Sequence, residues 1–429
     1  MKPSALLLLA LGLAAAPFLH ADLKSPMNEA AETYVQLALA LGVHDGDFVD
    51  AYYGPAEWRS AAEAAKIPLA EIQSQERALA ARLAAVDLTG ADEIGRLRHE
   101  YLVKQLAAMD TRIEMIGGKK FPFDEESKRL FDAVAPHNTE AHFDAVLAEL
   151  AKALPGPGTL AERFQAYHQQ FVIPRDKVDA VFQAAIRAAR ERTRRHIALP
   201  EGESFTVEYV TNKPWGGYNW YKGDYHSLIQ VNVELPVFIE RAVDLASHEG
   251  YPGHHVYNVL LEKNLMRGRG WLEFSVYPLF SPQSLIAEGS ANYGIDVAFP
   301  GEERVAFERD VLFPLAGLDP ARAADYYHVL KLTKELAFAG NEAARRYLNG
   351  EITSDQAVAW LERYTLAEPA RAQQRIRFID KYRSYVINYN LGQQLVGDYI
   401  EGRAGGDADR RWEAFKDLIS SPRLPSGLR

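Results

Sequence analysis

The chain has 429 residues, of which 48% are apolar and 25% charged, with a formal net charge of −10 and no cysteine. Those proportions exclude a disordered, collagenous or low-complexity scaffold. The acidic balance and the lack of a long Lys/Arg run argue against nucleic acid as a partner. Disulfides, thiol catalysis and Cys-type zinc sites are excluded outright.

Lys2 precedes an apolar run from Ala5 to Leu19 that is too short and too early for a membrane span. The pattern reads as a secretory signal over residues 1–21, cut after Leu19-His20-Ala21, with the mature chain starting at Asp22. The expected protein is periplasmic or secreted, with no stable membrane anchor after cleavage; an uncleaved anchor is the alternative. A cysteine-free chain agrees with an oxidising compartment.

Residues 22–200 form a helical N-terminal region in this reading. Apolar residues recur at three- and four-residue spacing almost throughout 27–198, most clearly over Leu69–Val86 and Ile94–Ile116. Breaks fall at Tyr53-Gly54-Pro55, Gly117-Gly118 and Leu154 to Gly158. Beyond Leu199-Pro200 the texture changes. Phe205, Val207 and Tyr209 alternate with more polar neighbours, and Tyr218–Tyr221 and Ser227–Val233 read as two further strands. Helical patterns resume at Pro236, the longest spanning Arg371 to about Gly392. The expected fold is mainly α with a small β-sheet near the active site.

Pro236 to Glu249 reads as one helix whose apolar stripe, Phe238, Ala242 and Leu245, leads to Glu249. A carboxylate on a core-facing stripe costs several kcal/mol unless compensated. His248 precedes it, and Gly250-Tyr251-Pro252-Gly253-His254-His255 follows. A His-Glu pair with a second His one turn later presents metal ligands beside a general base. Here Pro252 occupies the usual position of that second His. If the helix opens at Pro252 and two residues bulge out, His254 falls where the ligand would stand. His255 is the alternative ligand, or a substrate-binding group. Downstream, Ser281-Pro282 starts a helix carrying Leu285, Glu288, Asn292 and Ile295 on one face. Glu288 is the candidate third ligand, and two His with one carboxylate leave a position open for water.

The block His248 to His255, followed by Glu288-Gly289-Ser290-Ala291-Asn292-Tyr293, resembles the bacterial domain-of-unknown-function family 885. That family is grouped with zincin-like metallopeptidases in which glutamate is the third ligand. The resemblance runs from about Tyr218 to the C-terminus and implies a zincin-like catalytic region over 201–429. It implies one zinc ion held by His248, one of the paired histidines and Glu288, with Glu249 as general base. A late Tyr-x-x-Gly segment is matched by Tyr389-Asn390-Leu391-Gly392, with Tyr389 as an oxyanion donor. Departures are Arg383-Ser384-Tyr385, where the family commonly has Pro-Gly-Gln, and Ser290 in place of a Trp.

The expected function is therefore an exported zinc-dependent peptidase acting on a peptide substrate. Its rivals are a zinc hydrolase of another amide or an ester, an exported binding protein that retains the zincin shell, and a purely structural helical protein. Strand Ser227–Val233 either adds an extended peptide or is an ordinary buried strand. Trp215, Tyr218, Trp220 and Tyr221 either wall a cleft or pack the core. Of Arg375, Arg377 and Arg383, one could pair with a peptide carboxylate, and solvated surface arginine is the alternative.

Overall fold

The computed structural model describes residues 26–213 and 215–428; the expected signal segment lies outside them. Helix accounts for 69% of the chain and strand for 7%, so the sheet is a local device in a helical body. The Glu93–Ile116 helix is typical of how the first half folds. Asp92 caps it by accepting from the Gly95 N–H, and Leu102, Leu106, Met109 and Ile113 bury one stripe. It packs beside the Leu69–Ala84 helix, whose Ile72, Leu79 and Leu83 are buried.

One stretch of this half is not helical. Val49–Tyr52 forms strand β1. Four residues are too few for a period to register, and the partner that stabilises them is distant in sequence. The four residues before Tyr53-Gly54-Pro55 thus belong to a strand. The alternating segments form β2 (Ser204–Val210), β3 (Gly217–Gly223) and β4 (His226–Asn232). Their order is β2-β4-β3, with β2 and β4 parallel and β3 and β4 antiparallel. Strand β5 (Val276–Pro278) pairs antiparallel with β1. Strand β4 is therefore central, both its edges are taken, and it cannot add a substrate strand.

The expected textural boundary near residue 200 is crossed by the packing. One buried apolar cluster runs from Ala30 to Leu428. Arg98 Nε donates to Glu273 Oε1 at 2.5 Å and its Nη2 to Oε2 at 3.0 Å, both side chains buried.

Two helices differ from expectation. The one expected from Pro236 begins at Glu240, because Phe238 is drawn into a bridge with Val172. The long helix expected over 371–392 is two, Pro369–Tyr382 and Ile387–Ala404. The break is at Arg383, whose φ of 52° lies in the left-handed region. Buried Glu126 holds it there, accepting from Arg383 Nε at 2.7 Å, Ser384 N at 3.1 Å and Ser384 Oγ at 2.7 Å.

Candidate metal centre

The His248 segment is an opened helix. The Glu240–Leu245 helix passes into a wider π turn over Ala246–Gly250. Tyr251 N–H reaches back to the Ala246 carbonyl at 3.0 Å, and Gly253 N–H to Ser247 at 2.9 Å. Pro252 lies between them and has no N–H to offer. A new helix then starts at His254 and runs to Leu261. Gly253 is required by close approach, since a Cβ there would lie 2.0 Å from the His248 carbonyl oxygen. The extra residues in the turn bring His254 beside His248, ring centroids 4.6 Å apart.

Glu288 arrives on the Pro282–Ala298 helix. Its Oε2 stands 3.4 Å from His248 Nε2 and 3.7 Å from His254 Nε2. Two ligands about 2.0–2.1 Å from a tetrahedral zinc would stand roughly 3.4 Å apart. That oxygen is buried and has no hydrogen-bond partner among the described residues. An unsatisfied buried carboxylate oxygen facing two imidazole nitrogens fits a cation between them. Burial works against charge on Glu288, yet the two imidazoles hold its carboxyl well below the usual range. Burial likewise disfavours charge on His254, and Glu288 overrides it, raising the imidazole to about 9. Each shift reflects opposite charges facing one another across the site.

Neighbouring groups aim these side chains. Asn292, one turn after Glu288, gives its Nδ2 to the Tyr389 carbonyl at 3.0 Å. Its Oδ1 thereby faces His248 Nδ1 at 3.0 Å, which holds the ring with Nε2 toward Glu288. Tyr385 Oη donates to Glu288 Oε1 at 2.9 Å. The break at Arg383 sets the start of the helix that carries Tyr385's neighbours. Burial first, and then the Glu288 charge, push the Tyr385 and Tyr389 phenols up, so both stay protonated donors.

Glu249 is buried beside the two histidines; ligand atoms of His248, Glu249 and His254 lie within 4.8 Å of one another. This triple overlaps the one with Glu288, so two carboxylates face the same pair of imidazoles. Glu288 Oε2 is within 3.7 Å of both imidazole Nε2 atoms and is sealed from solvent. The Glu249 side chain borders the same cavity that Glu288 does. Strand β3 covers it closely, for a Cβ on Gly217 would meet Leu245 Cδ2 at 2.6 Å and Glu249 Oε1 at 3.0 Å. Asn219 Nδ2 donates to the Glu249 carbonyl at 2.7 Å.

The cavity is about 690 Å³ and is bordered by His248, Glu249, His254, Glu288 and Tyr389. His255 is turned away. Successive helical residues differ by about 100°, so only one of the pair can face the cavity. Its Nε2 lies 3.0 Å from Glu203 Oε2 and its Nδ1 2.8 Å from Ser227 Oγ. Burial, opposed by Glu203, lowers its pKa and keeps it neutral. The expected role for His255 as alternative ligand or substrate group is thus replaced by a structural one.

Trp215, Tyr218, Trp220 and Tyr221 all border the cavity, although Tyr221 is also buried and donates to Glu262 Oε2 at 2.5 Å. Asp50 of β1, absent from the sequence reading, is bonded by the Tyr218 hydroxyl at the cavity wall. Burial, partly offset by Tyr218 and His254, raises Asp50 to about 6. Tyr385 and Asn292 were equally unassigned. Asn292 was detectable by its one-turn spacing from Glu288; Asp50 and Tyr385 had no local signal.

No family of known proteins and no curated protein matches this sequence. A solved structure described as "the putative lipoprotein from Colwellia psychrerythraea" is 15% identical, with a TM-score of 0.54 over 93% of this chain and 74% of that one. A "putative lipoprotein of unknown function from Shewanella oneidensis" is 15% identical, with a TM-score of 0.48 over 94% and 82%. The M32 carboxypeptidase from Deinococcus radiodurans R1 is 13% identical, with a TM-score of 0.45 over 91% and 89%. The chain shares its overall fold with the Colwellia protein; the other two similarities are too low to argue from.

Proposed function

We propose that this chain is an exported, zinc-dependent hydrolase of zincin-like architecture that cleaves peptide amide bonds. The observation that carries the reading is the buried Glu288 Oε2, without a hydrogen bond of its own and flanked by the Nε2 atoms of His248 and His254. Those three residues would hold the ion. A zinc ion there would supply Lewis-acid polarisation and bring the pKa of water toward about 7.

The chain's own groups do the rest. Glu249, at the cavity edge, takes a proton from water and passes it to the leaving amine. The neutral Tyr389 phenol donates to the oxygen that gains charge. Strand β3 is paired in its sheet by β4 alone and borders the cavity, and an extended peptide would lie along it. Export is supported by the signal-like residues 1–21 and by the lipoprotein description of the Colwellia protein. No helix among the described residues is long and apolar enough to cross a membrane.

The test is hydrolysis of a mixed peptide pool by metal-loaded protein, with Glu249→Gln alongside. Wild type should cleave, and Glu249→Gln should lose roughly 10²–10⁴-fold while keeping its metal. Equal cleavage by both proteins would remove the mechanism.

A further inference from the structure

Three fixed cations border the cavity, namely Arg241, Lys334 and Arg375. Arg241 has Asp244 at 3.5 Å and Lys334 has Asp296 at 3.7 Å. Arg375, on the Pro369–Tyr382 helix, has no carboxylate partner among the described residues. Its guanidinium lies over the Phe378 ring, 4.9 Å from the centroid. It also borders a smaller cleft of about 300 Å³ with Leu336, Leu361 and Ala372, and no acid lines that cleft. Burial strips its solvation and pulls its pKa down, with only the Tyr389 phenol opposing. A guanidinium that is partly desolvated and unpaired is costly, and a planar bidentate acceptor is what its donors match.

We propose that Arg375 anchors a carboxylate of the substrate, selecting peptides that carry a free C-terminal carboxylate or an acidic side chain at a fixed distance from the metal centre. The same cavity is lined by Glu249 and Glu288 of the candidate metal centre, so a carboxylate held at Arg375 would share one space with it. This specificity rests on the hydrolase reading for its consequence, although carboxylate binding can be measured without turnover.

The probes are one N-acetylated tripeptide pool in three forms: the free acid, the C-terminal amide without Asp or Glu, and the amide with one Asp or Glu. Binding is measured by calorimetry on zinc-loaded Glu249→Gln, alone and combined with Arg375→Met or Arg375→Lys. Cleavage is measured with Arg375→Met and Arg375→Lys in the otherwise wild-type chain. At least one charged form should bind about 100-fold more tightly than the uncharged amide, and which one does identifies the source of the carboxylate. Arg375→Met should abolish that preference and Arg375→Lys should keep part of it. Arg375 has no ion pair to orphan, so both variants should melt as wild type does. If Arg375→Met does not fold, a partial loss in Arg375→Lys carries the test. A full preference retained in Arg375→Met, or none in wild type, overturns the proposal. Charged peptides bound through Arg375 but never cleaved would remove the hydrolase and keep the anchor. Cleavage indifferent to charge would do the reverse, and neither binding nor cleavage would count against both.

Discussion

Gly289 and Gly392 meet backbone against backbone. A Cβ on Gly289 would lie 2.5 Å from the Gly392 carbonyl carbon, and one on Gly392 would lie 2.8 Å from the Leu285 carbonyl oxygen. This contact sets Glu288 on one helix against Tyr385, in the turn before the other helix, and Tyr389 in that helix's first turn. Gly289→Ala must push the helices apart. It should cost about 1–3 kcal/mol in denaturant unfolding and weaken metal binding as well. Wild-type stability and affinity in Gly289→Ala would show that the spacing is not required.

The orienting groups around the ligands should be measurable on their own. Tyr385→Phe removes the donor to Glu288 Oε1, and Asn292→Ala frees the His248 ring. Each should lower metal affinity by roughly 10–100-fold in a chelator competition. Folding should change far less, because in both variants the two imidazoles still face the Glu288 carboxylate.

Arg98 and Glu273 form a buried bidentate pair joining the N-terminal helices to the segment before β5. Arg98→Met leaves the Glu273 carboxylate buried and alone. The loss should be about 3–5 kcal/mol by chemical denaturation. A loss below about 1 kcal/mol would mean that solvent reaches Glu273.

Glu203 gives the pH dependence. Burial works against its charge, yet hydrogen bonds from His255, Tyr251 and Arg190 hold it at about 2, below its ordinary 4.5. A carboxyl lowered in the folded state contributes stability above its unfolded pKa and loses it as pH falls through the folded one. The contribution is about 3 kcal/mol at neutral pH, lost between roughly pH 5 and 2. Glu203→Gln should therefore be less stable than wild type at pH 7, with the gap closing over that window. A gap independent of pH would mean that Glu203 acts through packing.

How much of this was legible in the sequence depends on distance along the chain. The opening of the helix at Pro252 could be reasoned from one missing N–H and two flanking glycines. Glu288 could be placed on a core-facing stripe from its three- and four-residue neighbours. Both are local facts. Asp50 was invisible because a four-residue strand has no period and its partner, β5, lies more than two hundred residues on. The break before Tyr385 was invisible for the same reason, since it is held by Glu126, far away in sequence. Pro236 read as a helix start because proline suits a first turn, but pairing of Phe238 with Val172 took that segment into extended backbone. The opening at Pro252 already favours His254 over His255, and the partners Glu203 and Ser227 separate the two in the structure.

The most direct measurement is metal titration of metal-free protein, with bound zinc read by elemental analysis. Wild type and Glu249→Gln should hold about one ion per chain, in keeping with a three-ligand site. His248→Ala, His254→Ala and Glu288→Ala should each lose most of it while staying folded. Stoichiometric zinc retained by both His254→Ala and Glu288→Ala would contradict a centre built on those side chains.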